Sequence, residues 1–298
     1  EKPLAGKKSG FLFFPTLILN SDLEKNSEED IMPKTVGKIT LFMGPNTINA
    51  PDNLEEAIID FIGGATDTLR ISVQELDHQP IADAIIAAKL RGVSVHMIME
   101  QDYLKEKKVP KHDSMGTQEA NRELLTRILR AGIDAKADYN PHIFHQKFIV
   151  RDKSSILTGS TNFTTPGVTK NLNHIVIIDD PITAREYSRE FSQIRKGIFG
   201  ARSEIHGRKP LHKHIVSNVR VKPLFAPDHS PEMEFIKQMI KAKDRIDFAV
   251  FTFSQSSGID DALANAKQLG LNIRGLLDRR QANQTWAAKS TLADAGVK

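Results

Sequence analysis

The chain has 298 residues, 40% hydrophobic and 26% charged, which is the composition of a globular protein rather than a disordered one. Its formal net charge of +4 is compatible with a phosphate-bearing substrate but does not require nucleic acid. The absence of cysteine excludes disulfides, zinc–cysteine sites and cysteine nucleophiles.

No apolar run reaches the roughly 18 residues that a membrane-spanning helix needs. The longest candidate covers residues 11–19, follows two lysines and resembles the apolar core of a signal peptide. Pro15 interrupts this run, and acidic residues follow it instead of a small-residue cleavage site. A targeting segment and a disordered leader over residues 1–37 both stay open. The compartment, cytoplasmic or secreted/periplasmic, stays open with them.

Helix and strand patterns alternate through the middle of the chain. Apolar periodicity predicts helices at 54–62, 81–90, 119–130 and 181–194, and strands at 38–42, 69–73, 93–99, 144–150, 155–158 and 174–178. Asp52 or Asn53 is expected to cap the first helix. The alternation predicts an α/β domain with a mixed central sheet over residues 38–200.

The second half of the chain repeats the first. Residues 81–100 match residues 259–278, since both read as a helix, a glycine and a buried strand that ends in an acid. This predicts a duplicated domain whose second copy covers residues 219–298. A histidine equivalent to His145 would lie beyond Lys298, so we expect a fragment truncated before its second motif.

A basic segment over residues 201–218 separates the two predicted copies. It is rich in arginine, lysine and histidine. A solvated linker and a positively charged rim for phosphate are both compatible with this composition.

Six residues form the pattern H-x-K-x4-D-x6-G-S-x-N: His145, Lys147, Asp152, Gly159, Ser160 and Asn162. Side chains two apart on a strand point to the same face, so His145 and Lys147 can reach one phosphate. A neutral imidazole can attack phosphorus and form a phosphohistidine. The Lys147 cation and the Asn162 amide can stabilise charge on the phosphoryl oxygens, and Ser160 can donate as well.

This pattern resembles the HKD signature of the phospholipase D superfamily, and the resemblance extends over about residues 38–298. The second half is similar to the bacterial endonuclease-like and mitochondrial cardiolipin hydrolase-like branch. The resemblance implies duplicated α-β-α domains with a mixed sheet, the second of them truncated here. It also implies roles: His145 as nucleophile, Lys147 and Asn162 as phosphate ligands, Ser160 as a supporting group, and Asp152 as an orienting or structural group.

The same resemblance implies a mechanism that uses no metal or other cofactor. A second acid must protonate the leaving oxygen. In the family it comes from a second HKD motif, which the missing C-terminal part or a homodimer would supply. His142 and His145 have the spacing of a ligand pair, but on a strand they would point to opposite faces, so no metal site is predicted.

One position departs from the family pattern. Endonuclease-like relatives often carry a glutamate near Asn173, and none is present there in this chain. Glu75 or Asp77, at the end of the strand predicted over residues 69–73, could replace it. Both could equally belong to a solvated acidic loop.

The sequence therefore predicts a phosphodiesterase that hydrolyses phospholipids to phosphatidic acid and a free head group. A nuclease would use the same chemistry, and a synthase would transfer the phosphatidyl group to an alcohol. A non-catalytic phosphate- or lipid-binding module is the alternative from another class. A lipase should expose apolar loops around His145, whereas a nuclease should show a continuous basic groove.

Overall fold

A computed structural model of the chain describes residues 34–104, 117–140, 142–200 and 213–298. Within these ranges, two compact units divide between Pro223 and Leu224. None of the helices described there combines the length and the apolar character that crossing a membrane would demand.

An eight-stranded mixed sheet forms the centre of the first unit, in the order β1-β2-β8-β7-β6-β3-β4-β5. Strands β3, β4 and β5 are parallel, and every other neighbouring pair is antiparallel. The strands are β1 (Lys34–Val36), β2 (Ile39–Gly44), β3 (Thr68–Val73), β4 (Ser94–Met99), β5 (Asp134–Ala137), β6 (Lys147–Arg151), β7 (Ser155–Gly159) and β8 (Asn173–Ile178).

Helices cover both faces of this sheet. On one face α1 (Leu54–Gly63), α2 (Gln79–Leu90) and α3 (Thr117–Arg130) pack against the larger apolar core. On the other face α5 (Pro181–Arg195) packs against a second core. A short helix, α4 (Thr165–Thr169), lies between β7 and β8. The predicted α/β class with a mixed sheet is confirmed.

The first helix begins where the sequence predicts. Asn53 is its N-cap, and its side chain accepts a hydrogen bond from the backbone N–H of Glu56. The apolar face of the helix buries Ile58 and Ile62 completely. Capping and apolar periodicity are local signals, so they suffice to locate this element.

Four strands lie outside the predicted ones. β1 falls in the segment predicted as a leader, and β5 was not predicted. A hairpin of β9 (His214–Val216) and β10 (Val219–Val221) begins in the predicted basic linker and ends in the segment predicted as the second copy. This hairpin joins the first unit because Val216 is buried in the second core and His214 Nε2 lies 3.0 Å from Asp180 Oδ2.

The second unit has its own small core. It contains α6 (Pro231–Met239), β11 (Arg245–Val250), α7 (Ile259–Gln268), β12 (Asn272–Leu277), α8 (Arg279–Ala282) and α9 (Lys289–Asp294). β11 and β12 are parallel, as β3 and β4 are, and a helix connects each pair. The strand–helix–strand order is thus present in both units, and its origin by duplication stays a prediction.

The turn after β6 is tied to the start of β3 by one carboxylate. Asp152 Oδ1 accepts from the backbone N–H groups of Asp67 and Thr68 at 2.8 Å each. Its Oδ2 accepts from the backbone N–H and the hydroxyl of Thr66 at 3.0 Å each. Asp152 has a φ of 50°, in the left-handed region that aspartate and asparagine tolerate better than other side chains.

Removing this carboxylate should destabilise the first unit. Asp152→Ala leaves four donors without their acceptor. Because the turn is partly exposed and water can replace some of these hydrogen bonds, we expect the free energy of unfolding to fall by only about 2 kcal/mol. Asp152→Asn keeps one acceptor oxygen and the tolerated backbone, so it should lose roughly half as much. Urea unfolding followed by circular dichroism measures both losses.

The same experiment at acidic pH provides the control. Burial alone would raise the pKa of Asp152, but the hydrogen bonds from Thr68, Thr66 and Asp67 outweigh it and lower that pKa. The stabilisation is therefore present above the ordinary aspartate range and is lost as the pH falls below about 4. A difference between wild type and Asp152→Ala that stayed constant down to about pH 3 would contradict this account.

Candidate active site

The motif residues, except Asp152, meet at one end of the sheet. β3 ends there with Gln74 and Glu75 beyond it, and the antiparallel β6 begins there with Lys147 opposite Val73. β7 ends at the same point, because it runs antiparallel to β6, and Asn162 follows it. Residues from three strand ends therefore surround one location.

Lys147 is buried at the first position of β6, with 5% of its surface exposed. Its Nζ donates to Gln74 Oε1 at 3.0 Å and to the backbone oxygen of His145 at 3.1 Å. Burial lowers the pKa of Lys147 to about 7, and the nearby Glu75 carboxylate opposes this fall. The ammonium is thus desolvated and held by neutral oxygens, which leaves its charge available to an anion.

His145 lies just before β6 and not within it, so the predicted strand over 144–150 begins too early. Strand pairing ends at Val73 and Lys147, although Gln146 still accepts from the backbone N–H of Gln74 at 2.9 Å. Burial, with a smaller contribution from Lys147, lowers the pKa of His145 to about 3. The imidazole is therefore neutral across the physiological range, as a nucleophile must be.

The Nδ1 atom of His145 is buried and has no hydrogen-bond partner among the described residues. This agrees with the lack of a glutamate at the position of Asn173, whose amide instead donates to the backbone oxygen of Gly167 at 2.8 Å. Neither Glu75 nor Asp77 replaces that carboxylate in a hydrogen bond to His145.

Glu75 nevertheless contacts a motif residue, whereas Asp77 is hydrogen-bonded to the start of α4. The Asn162 amide donates through Nδ2 to Glu75 Oε1 at 3.2 Å, and the Oδ1 of Asn162 is buried and unpaired among the described residues. Asp77 Oδ1 accepts from the backbone N–H of Thr165 at 2.7 Å, at the start of α4. Burial raises the pKa of both carboxyl groups.

Ser160 is fixed from the neighbouring strand. Its Oγ accepts from the backbone N–H of His174 at 2.9 Å and lies 3.3 Å from Nδ1 of the same residue. Burial lowers the pKa of His174 to about 4. Gly159 is required beside it, because a Cβ there would lie 2.2 Å from the backbone oxygen of His174.

Asp152 does not join these residues. It follows the far end of β6, while Lys147 begins that strand, and five residues of strand span roughly 16 Å. Its four hydrogen bonds all go to residues 66–68. The structure thus places Asp152 as a positioning group for the strand that carries Lys147.

Three residues of the site were not predicted from the sequence. Gln74 holds Lys147, and Tyr103 accepts from Gln74 Nε2 at 3.0 Å through its hydroxyl. His174 contacts Ser160. Of these three residues, only His174 could have been identified from the sequence, because it lies next to Asn173, near which relatives carry a glutamate.

A metal-binding arrangement is not seen in the ranges that the structure describes. No group of three or more histidine, aspartate, glutamate or cysteine side chains converges there in a way that could hold an ion. His142 is exposed, while His145 is half-buried beside a lysine.

Comparison with known proteins identifies the family. The protein-family model described as the phospholipase D-like domain of cardiolipin synthase matches residues 58–195. Phospholipase D of Rickettsia prowazekii is 25% identical over 59% of this chain and 78% of its own length. The mitochondrial cardiolipin hydrolase of Chlamydomonas reinhardtii is 26% identical over 46% of this chain and 55% of its own length.

A solved structure shows the same fold. Polyphosphate kinase from Porphyromonas gingivalis superposes with a TM-score of 0.55 at 14% identity, over 80% of this chain and 38% of the kinase. The family match covers β6 and β7, together with His145 just before β6 and Asn162 just after β7. Residues 58–195 of the chain thus form a domain of the phospholipase D superfamily.

Proposed function

We propose that the protein hydrolyses a phosphodiester through a covalent intermediate on His145. The observation that carries this proposal is the neutral imidazole held beside a buried lysine at the meeting of three strand ends. A neutral imidazole is the nucleophilic form, and a desolvated ammonium attracts the phosphate strongly because little water screens it.

In the first step His145 forms a bond to phosphorus, and the bond from phosphorus to the leaving alcohol oxygen breaks. Lys147 and the Asn162 amide bind the non-bridging oxygens, whose charge they stabilise in the transition state. Ser160 supports them from the adjacent turn, and Asp152 positions β6. Water then attacks phosphorus, releases His145 and yields the phosphomonoester.

The leaving oxygen must take up a proton, and the attacking water must lose one. We assign both transfers to the histidine of a second HKD motif, located further along the protein or contributed by another copy of the chain. A specific activity that falls on dilution would indicate that another copy of the chain supplies this histidine, since a dimer dissociates at low concentration.

A phospholipid is the substrate we favour. Ile143, two residues before His145, is 45% exposed, and Leu172, two residues before His174, is 75% exposed. Both lie at the end of the sheet that carries His145, where a lipid substrate would bring its apolar part. Sequence relatives named phospholipase D and mitochondrial cardiolipin hydrolase support the same substrate class.

Replacement of the nucleophile should abolish turnover. We expect His145→Asn to lower hydrolysis of phosphatidylcholine or cardiolipin liposomes by roughly 10³-fold or more, because the covalent step is lost. His142→Asn removes an exposed histidine three positions earlier and should keep near-normal activity. Release of the head group, measured in EDTA, tests both variants.

The same assay separates the alternatives. Cleavage of single-stranded DNA without lipid hydrolysis would assign the protein to the nucleases. Liposome binding without turnover in the wild type would indicate a non-catalytic binding module. Activity that survives in His145→Asn, or that disappears in EDTA, would contradict the mechanism.

The activity should also fall as the pH rises through about 7, because Lys147 loses its proton there. His145 has a pKa of about 3, so it imposes no loss on the acidic side until far lower pH. Lys147→Arg keeps a cation whose pKa exceeds about 12, and it should remove the alkaline decline in kcat/KM even if its maximum is lower. Lys147→Met should lose roughly 10²-fold below about pH 7, and its difference from wild type should narrow as the pH rises, because wild-type Lys147 then lacks its charge as well. An alkaline decline that Lys147→Arg leaves in place would assign the titration to another group.

A further inference from the structure

Two consecutive side chains at the end of β3 contact the groups that we assign to the substrate phosphate. Gln74 Oε1 accepts from Lys147 Nζ at 3.0 Å, and Glu75 Oε1 accepts from Asn162 Nδ2 at 3.2 Å. The Tyr103 hydroxyl donates a hydrogen bond to the Glu75 carboxylate as well. A half-buried carboxylate thus lies between two donors and a cation, which is how an anion subsite is built.

We propose that Glu75 is an internal substitute for the substrate phosphate, and that its carboxylate must move aside or take up a proton when the phosphodiester binds. This inference rests on the proposed function, because it takes Lys147 and Asn162 to be the phosphate ligands.

Charge is the first reason. An ionised carboxylate and a phosphodiester anion cannot both contact Asn162 and face Lys147 without strong repulsion, since the site is largely shielded from water. The repulsion ends when the carboxylate is protonated or rotates away. The glutamate side chain has rotatable bonds that permit such a movement.

The surroundings of Glu75 make protonation accessible. Burial raises its pKa, Lys147 on β6 lowers it, Asp77 beyond β3 raises it, and the Tyr103 hydroxyl lowers it. The Glu100 carboxylate, at the end of β4, contributes to raising the pKa of Tyr103. The net shift is upward, and a bound anion would raise the pKa of Glu75 further, because a second negative charge disfavours the ionised carboxylate.

The contact with Glu75 also stabilises the site before substrate binds. The Glu75 carboxylate opposes the fall in the pKa of Lys147 and thereby helps to keep the buried lysine charged before substrate arrives. The glutamate would then act as a counter-ion that the substrate replaces. Anion binding should be coupled to proton uptake as a consequence.

Sulfate is a suitable probe, because it is tetrahedral and its charge is constant over the working pH range. Calorimetric titration of the whole chain should show roughly tenfold tighter sulfate binding for Glu75→Gln than for wild type at pH values where the wild-type carboxyl is ionised and Lys147 is protonated, since the competing charge is gone. Asp77→Asn removes a carboxylate two residues away that contacts Thr165 instead, and it should change the affinity by less than about threefold. Towards about pH 4 the advantage of Glu75→Gln should vanish, because the wild-type carboxyl becomes protonated.

The possible outcomes are distinct. Equal sulfate affinity for wild type and Glu75→Gln at every pH, or weaker binding by the variant throughout, would overturn the inference; the second result would make Glu75 a positioning residue for Asn162. The proposed function fails separately if Lys147→Met binds sulfate as well as wild type does, since the anion would then not use the assigned ligand.

Discussion

The antiparallel pairing of β3 with β6 is the contact on which the site depends. Its register sets Val73 opposite Lys147 and Leu69 opposite Arg151. At one end this pairing brings Gln74 to the lysine, and at the other end it brings Asp152 to the first residues of β3. A slip of one residue would turn every side chain of β6 to the opposite face of the sheet. The position of Lys147 at one end of the strand pair is therefore stabilised by the hydrogen bonds of Asp152 at the other end.

Burial gives His145 and Lys147 opposite properties. Desolvation lowers both pKa values, but a histidine becomes neutral at all ordinary pH values, whereas a lysine that begins far higher ends at about 7. One low-dielectric location thus produces an uncharged imidazole and an adjacent cation. Gln74 stabilises the cation without neutralising it, because an amide oxygen accepts hydrogen bonds and carries no net charge.

Local signals in the sequence were sufficient for the fold class, for most helices and strands and for the motif. Asn53 as a cap and the periodicity of α2 are properties of neighbouring residues, and the structure has both. The contact between Asn162 and Glu75 joins residues 87 positions apart and depends on strand register, which no local pattern contains. For the same reason Glu75 and Asp77 could not be told apart from the sequence, since both follow one strand.

The hairpin of β6 and β7 has a consequence for how related proteins should be aligned. Lys147 and Asn162 reach the same point because two strands of equal length are joined by a turn whose first residue, Asp152, is hydrogen-bonded to the residues at the start of β3. An insertion or deletion inside this segment would shift one of these side chains away from the other, while substitutions on its buried faces would leave the distance intact. In an alignment of related proteins, a gap between these two residues would therefore indicate that the site is not preserved in the same form.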